Sequence, residues 1–498
     1  MPYRIHAAEA VHHAMDRKSF AARLRRLLPA EAVLAEPEEL RPFECDGLTM
    51  IRQTPWLVVL PENVDQVQAV LRLCHETGVP VVARGAGTGL SGGALPVPNG
   101  VLLGLSRLDR ILAIDPLNRT ARVQPGVRNL AISEAAAPHG LYYAPDPSSQ
   151  IACSIGGNVA ENAGGVHCLK YGLTVHNVIE VTLLTMEGER LVLGGSGLDG
   201  PGFDLLALVC GSEGLLGVVV EVVVRLLPKP PAARTLLAAF PTIEAAGAAV
   251  ADIIAAGLMP AGLEFMDQAI IRAAEDFIKA GYPTEAAAVL LCELDGMAEQ
   301  VEADLIRAEQ VLRASGATEV RRSSGEAERL KFWAGRKAAF PAVGRIAADY
   351  YCMDGTIPRG KLAEVLRAIA AEADRQGLAV ANVFHAGDGN LHPLILFDAS
   401  RPGELDRAEA LGALILEICV EAGGTVTGEH GVGVEKINQM CLQFGAAELA
   451  QFEAVKRAFD PAGLLNPGKA IPSLHRCAEY GRMHVHHGET RFPELERF

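Results

Sequence analysis

A chain of 498 residues is too long for one ordinary core, and with 49% apolar residues it is expected to fold as two domains with connecting arms. Its formal net charge of −15 excludes an extended nucleic-acid surface, because phosphate binding draws its affinity from Lys and Arg. A small anionic substrate stays open to it, since one local Arg or Lys makes a positive pocket inside an acidic protein.

Residues 1–54 read as a helical arm. The opening MPYRIHAAEAVHHAMDRKSF mixes acids, bases and His and lacks the apolar run of a secretory signal, which predicts a cytoplasmic chain. From TPWLVVLP onward, short β segments follow one another between Gly and Pro: VPVVARG, GVLLGLS, ILAID, TARVQPG, NVIEVTLLT, ERLVLGG and GVVVEVVVRLLP. Between them VDQVQAVLRLCHETG and VRNLAISEAAAPHG carry helical patterns. The most apolar stretch, LLALVCGSEGLLGVVVEVVVRLL, is broken by Glu213, Glu221 and several glycines, which predicts two buried strands rather than a membrane span. Any membrane contact is then peripheral.

The character changes near Pro228, where LPKPPAART reads as a linker because proline fixes φ and removes ladder donors. Residues 55–230 therefore form one domain and 231–498 another. In the second, TIEAAGAAVADIIAAG, MAEQVEADLIRAEQVLRASG, KLAEVLRAIAAEADRQG and ELDRAEALGALILEICVEAGG have helical periodicity and alternate with strands such as AVLLCELDG and VANVFHAG. Both domains are α+β. The 10 cysteines form no C-x-x-C pair, which fits reduced thiols and supplies no zinc or iron–sulfur ligand set. If electrons leave one at a time, another protein holds the clusters.

RGAGTGLSGGA, residues 84–94, contains G-x-G-x-x-G at Gly87, Gly89 and Gly92. A dinucleotide-binding βαβ unit needs a helix directly after the glycines, and ALPVPNGVLLGLS supplies prolines and another strand instead. What remains is a tight loop whose bare N–H groups approach an anion such as a pyrophosphate. PDPSSQIACSIGGNVAENAGG at 145–165 and GSEGLLGVV at 211–219 have the same flavour. One such segment is as compatible with a surface turn. Three in one domain point to a cofactor.

In the second domain, HAGDGNLH places His385 and His392 on either side of a Gly-Asp-Gly-Asn turn, so both imidazoles leave neighbouring strand ends toward a common point. TGEHGVG presents Glu429 and His430 in a glycine-flanked segment expected to precede a helix. Two His and a carboxylate form a facial set that leaves positions open on a divalent ion. A lone His is more often a hydrogen-bonded structural residue; four ionisable groups in two glycine-rich loops favour a metal or catalytic role.

RGAGTGLSGGA, PDPSSQIACSIGGNVAENAGGVHCLKYG, GSEGLLGVV and the NPGK at 466–469 together resemble the FAD-linked oxidases of the vanillyl-alcohol oxidase and p-cresol methylhydroxylase type, and the similarity runs on to CAEYGRMHVHHG and FPELERF. The resemblance implies a two-part FAD-binding domain plus an α+β substrate (cap) domain whose C-terminal segment returns to the flavin. It implies that Arg84, Gly85, Gly87, Thr88, Gly89, Ser91, Gly92 and Gly93 wrap the pyrophosphate and flavin. Pro145, Asp146, Ser149, Ser154, Gly156, Gly157, Asn158 and Gly164 share that task, with Gly214 and Val219 near the adenine and Asn466 near the isoalloxazine. His167 lies in these segments, and the hydroxy-acid-oxidising branch implies FAD held without a bond to it.

The same branch implies zinc or manganese on His385, His392 and Glu429, with His430 as base. An imidazole titrating near neutral pH suits removal of an alcohol proton as the C–H bond breaks. For the substrate carboxylate, the planar fork of an Arg is the natural partner, and among Arg336, Lys337 and Arg345 the resemblance places Arg336 facing the pocket. Asn390 and Tyr351 are further pocket residues of undetermined direction. The expected substrate is a small 2-hydroxy acid, glycolate ahead of D-lactate; the alternatives are a D-lactate or D-2-hydroxyglutarate dehydrogenase, or a flavin-carrying assembly subunit. A second flavin chain and an iron–sulfur chain are the expected partners, with oxygen, a quinone or a partner cluster as alternative electron acceptors.

Overall fold

The computed structural model describes residues 16–197 and 200–472. The motifs CAEYGRMHVHHG and FPELERF, and most of the opening segment, lie outside the described residues.

Three larger sheets organise the described residues, beside a two-stranded pairing of Leu141–Tyr142 with Leu227–Pro228. In the first, Val33–Leu34, Leu57–Val59, Val101–Gly104 and Val81–Arg84 lie side by side in that order, with parallel pairing except at the Val33 edge. The helical arm thus contributes a short strand to this sheet. Helix Val64–Thr77 starts where the Asn63 side chain accepts the Gln66 N–H and stops at Gly78, φ 68°. Its buried stripe, Val67, Val70, Leu71 and Cys74, packs in one core with Val81 and Leu103. Strands Val81–Arg84 and Val101–Gly104 are parallel neighbours joined by irregular chain instead of a helix, so the glycine loop stands at a strand end without a βαβ unit.

The second sheet is antiparallel, ordered Ile111–Asp115, Thr120–Val123, Val218–Arg225, Val178–Leu184 and Arg190–Gly194. The apolar stretch expected to form two strands divides differently. Asp204 accepts the Ala207 N–H and starts a short helix, Leu205–Val209, Val218–Arg225 is a strand, and Leu227 opens a further short one.

The third sheet carries Glu319–Arg322, Ala232–Phe240, Ala288–Gly296, Gly262–Asp267, Ala379–His385, Asn390–Leu391 and Gly355–Thr356 in that order. Pro393–Phe397 branches from Ala379–His385 and pairs with Asp349–Cys352. Both faces are covered, because successive residues point to opposite sides of a strand. Phe265 and Leu290 enter one core with helices Ile243–Ala255, Ala298–Ala314 and Leu362–Gln376, while Met266 and Leu291 enter another with Gln268–Ile278.

After helix Ala446–Phe459 the chain returns to the first sheet, where Val81 N–H donates to Leu464 O and Asn466 N–H to Val81 O, each at 2.8 Å. Cys45, Cys74, Cys153, Cys168, Cys210, Cys292, Cys352 and Cys419 are free thiols. Among the described residues no helix is long and apolar enough to cross a membrane.

Candidate active site

The loop after Val81–Arg84 and the segment at 145–165 face one another. Ser154 Oγ accepts the Ala86 N–H at 3.3 Å, and a Cβ on Gly85 would fall 2.1 Å from that same oxygen. Gly87 has φ 71°, which strains any other residue, and its Cβ position lies 2.2 Å from the Arg84 guanidinium, which a side chain there would displace. Between these segments lies a cavity of about 240 Å³.

Arg84, Gly85, Gly87, Thr88, Gly89 and Gly93 line it from the first loop. Ser149, Ser154, Gly156, Gly157 and Asn158 line it from the second segment, and Gly214 and Val219 from the third. The same cavity is lined by Phe340, His392, Glu429 and His430 from the second half of the chain. Bare backbone on several sides, with buried and unpartnered Asn158 Nδ2, fits a polar ligand with phosphate groups such as FAD.

Other expected flavin residues stand behind this lining. Ser91 O accepts the Val434 and Glu435 N–H groups at 3.0 and 3.1 Å, and a Cβ on Gly92 would meet Val434 Cγ2 at 2.5 Å. Pro145 O takes the Asn129 side chain at 3.1 Å, and Asp146 Oδ2 lies 2.8 Å from His167 Nδ1. Gly164 makes room for Glu429, since a Cβ there would sit 2.4 Å from its Oε2. Asn466, fully buried, donates to Gly93 O at 3.0 Å and Glu213 O at 2.7 Å, bracing two loops of the cavity wall against each other.

His167 is outside the cavity lining. Its Nε2 lies 3.3 Å from Glu293, whose carboxylate also takes Thr235, Arg329 and Trp333. Burial alone would lower its pKa, but Asp146 and Glu293 push it up to about 10, so the ring is an ion-pair bridge between the two halves of the chain.

His385 ends strand Ala379–His385 and pairs with Asn390 across the Gly-Asp-Gly turn; His392 follows before Pro393–Phe397. This hairpin aims both imidazoles at Glu429: His385 Nε2 is 3.4 Å and His392 Nε2 3.1 Å from Glu429 Oε1. The opposite ring nitrogens are occupied. His385 Nδ1 lies 2.8 Å from Glu264 and His392 Nδ1 3.3 Å from the Met353 carbonyl. Acceptors at Nδ1 turn each Nε2 toward the carboxylate, so three groups able to hold a cation converge in a buried place. These residues could hold a divalent ion.

Cys352, His392 and His430 form a second cluster, but burial holds the Cys352 thiol well above its usual range, which makes it the poorer ligand set. The His430 ring stacks on His392, centroids 5.0 Å apart, with Nε2 at 3.9 Å from Glu429 Oε1. Burial drives the His430 pKa down to about 4 against the pull of Asp354, leaving a neutral imidazole at pH 7. Glu429 runs on in irregular chain as far as Met440–Gln443, so no helix follows it directly.

Arg336, expected to face the pocket, is instead held by Glu264, with Nε at 2.8 Å and Nη2 at 2.7 Å from Oε2, and it is not part of the cavity lining. Helix Glu326–Lys337 turns it onto the carboxylate that orients His385. Arg345 pairs with Asp276 at 2.6 Å. Asn390 Oδ1 is buried without a partner, and a Cβ on Gly428 would lie 2.4 Å from it. Sequence reasoning missed Glu264, one of two acids in the wholly buried strand Gly262–Asp267, and Phe340 on the cavity wall.

The chain matches two family models: "FAD binding domain" over residues 55–194 and "FAD linked oxidases, C-terminal domain" over residues 229–470. It is 65% identical to glycolate oxidase subunit GlcD of Escherichia coli, covering 97% of each chain. It is 35% identical to a D-lactate dehydrogenase of Anaerostipes hadrus, covering 84% of this chain and 90% of that one. Among solved structures, p-cresol methylhydroxylase with substrate bound superposes with a TM-score of 0.78 at 18% identity, covering 92% of this chain and 97% of that one.

Proposed function

The chain belongs to the FAD-linked oxidases, and from that premise we propose that it oxidises a small 2-hydroxy acid, glycolate ahead of D-lactate, with one divalent ion, zinc or manganese, beside its FAD. One observation carries the reading: the glycine loops and the residues His392, Glu429 and His430 line a single cavity. Glycolate leads because identity to the glycolate oxidase subunit, 65%, far exceeds the 35% to the D-lactate dehydrogenase.

Arg84–Gly93, the 145–164 segment, Gly214 and Val219 would hold the flavin, with Asn466 bracing the loops behind it. Bound there, FAD supplies a hydride-accepting ring. A divalent ion on His385, His392 and Glu429 would supply a Lewis acid for the substrate's carboxylate and hydroxyl oxygens. His430 takes the hydroxyl proton on Nε2, the nitrogen nearest the ligand carboxylate, and its neutral state leaves that lone pair free. Arg336 works at one remove: by pairing with Glu264 it keeps that carboxylate ionised and His385 correctly turned.

The purified holoprotein, mixed anaerobically with glycolate, D-lactate and larger 2-hydroxy acids, is expected to lose its flavin absorbance fastest with glycolate. A spectrum indifferent to all of them defeats the reading. Dialysis against a chelator is expected to stop this bleaching while FAD stays bound, with recovery on adding zinc or manganese; undiminished bleaching of metal-free protein removes the ion from the account. Phe340 is the bulkiest side chain on the cavity wall. Phe340→Ala is expected to raise kcat/KM for hydroxy acids with larger side chains, relative to glycolate, by roughly 10-fold; an unchanged ratio removes Phe340 from substrate selection.

Electrons are proposed to leave through partner chains, a second flavin subunit and an iron–sulfur subunit, on the cytoplasmic side of a membrane. The name "subunit" carried by the 65%-identical relative supports an assembly of this kind.

A further inference from the structure

Glu429 and His430 sit in irregular chain, where no ladder satisfies the backbone donors and nothing periodic fixes side-chain direction. Successive donors of this segment converge on one side chain. Asp354, fully buried beyond strand Asp349–Cys352, accepts the N–H groups of Gly428 at 3.1 Å, Glu429 at 3.1 Å and His430 at 2.9 Å. It also accepts the Thr427 hydroxyl at 2.6 Å, and its backbone carbonyl takes the Gly428 N–H at 2.9 Å. Lys436 Nζ, equally buried, lies 3.0 Å from the same carboxylate and donates to Gly431 O at 2.9 Å. From the first half of the chain, Glu213 accepts Val432 and Gly433 N–H, each at 2.7 Å.

Three consecutive N–H groups closing on one anion form a nest, whose geometry dictates where the attached side chains go. A carboxylate this deep needs its charge matched, and Lys436 together with the amides does so. Asp354 is outside the cavity lining, so it acts on the reaction at one remove, through the segment it holds and through its charge near His430.

We infer that Asp354 is a positioning residue: by clamping residues 427–430 it sets Glu429 against His385 and His392 and stacks His430 on His392. This rests on the roles proposed above for Glu429 and His430. Holding both residues from one anchor ties ligand and base together, so a shift of the anchor displaces them jointly.

Asp354→Asn keeps the shape but turns an amide donor toward donors, and Thr427→Val removes one bond to Asp354 together with the hydroxyl's contacts to Gly431 O and Lys436 Nζ. Purified holoprotein of each variant is compared with wild type for FAD content, Mn²⁺ affinity, anaerobic reduction by glycolate at saturating Mn²⁺, and hydrogen exchange at residues 427–431. For Asp354→Asn, FAD content is expected to be unchanged and Mn²⁺ affinity about 10- to 100-fold weaker. Reduction is expected to slow about 100-fold, with faster exchange at 428–430. Thr427→Val is expected to move all three readouts in the same direction, by less. Wild-type Mn²⁺ affinity and reduction rate in both variants overturns the inference. So does loss of FAD and thermal stability in Asp354→Asn beside a wholly normal Thr427→Val. A wild-type protein that neither binds Mn²⁺ nor is reduced by any hydroxy acid overturns the functional reading instead, and exchange at 428–430 then decides the clamp by itself.

Discussion

His430→Ala is expected to keep FAD and metal and to reduce its flavin with glycolate about 10²- to 10⁴-fold more slowly, the range contributed by a well-placed general base. The expectation comes from position: His430 lines the cavity, stacks on His392 and keeps Nε2 near the ligand carboxylate without being tied to it. Its Nδ1 has no hydrogen-bond partner among the described residues. The alanine leaves Glu429, His385 and His392 in place, so metal content is the internal control. Added imidazole should restore part of the lost rate by filling the vacated space. Normal reduction by His430→Ala, with metal and flavin both present, takes the base role away from this residue.

Glu264→Gln is the second large effect, and it acts on stability as well as on the metal. Glu264 is fully buried between two partners, Arg336 on one oxygen and His385 on the other. Burial by itself would raise its pKa, but the neighbouring His385 and Arg336 charges hold it below the ordinary carboxylate range. Removing the charge strands the Arg336 guanidinium in the core, at about 3–5 kcal/mol for breaking one partner of a buried pair. Metal affinity is expected to fall about 10- to 100-fold, since the group orienting a ligand His has lost its charge. Adding Arg336→Met to Glu264→Gln should regain much of the stability, because the stranded cation is gone, while leaving metal affinity low. Denaturant titrations with metal analysis check both. If Arg336→Met alone raises KM for glycolate without disturbing stability or metal, Arg336 contacts the substrate and the relay through Glu264 is wrong.

The glycine segments and the His, His and Glu set were readable from residues 84–94, 145–165, 211–219, 385–392 and 427–433 because each is a local string whose chemistry survives without coordinates. Rejecting a dinucleotide-binding βαβ unit also rested on local facts, the prolines and the strand after Gly93, and irregular chain does join the parallel strands there. Long-range pairing was not readable. Glu264 meets His385 only because Gly262–Asp267 and Ala379–His385 are sheet neighbours 121 residues apart. Arg336 was legible as a cation on a helix, but the face it presents depends on how Glu326–Lys337 packs. Leu205–Val209 read as a strand because its residues are apolar, and the capping Asp204 decided for a helix. Asp354 carried no signal beyond a lone acid, since its partners are the backbone of a distant loop.

Crystals of the holoprotein soaked with Mn²⁺ and glycolate, located by anomalous scattering at the manganese edge, test the central claim most directly. The account predicts one ion on His385 Nε2, His392 Nε2 and Glu429, with glycolate between it and an isoalloxazine seated in the cavity lined by Arg84–Gly93 and Ser154–Asn158. An ion elsewhere, or a flavin ring lying away from His392 and His430, contradicts it.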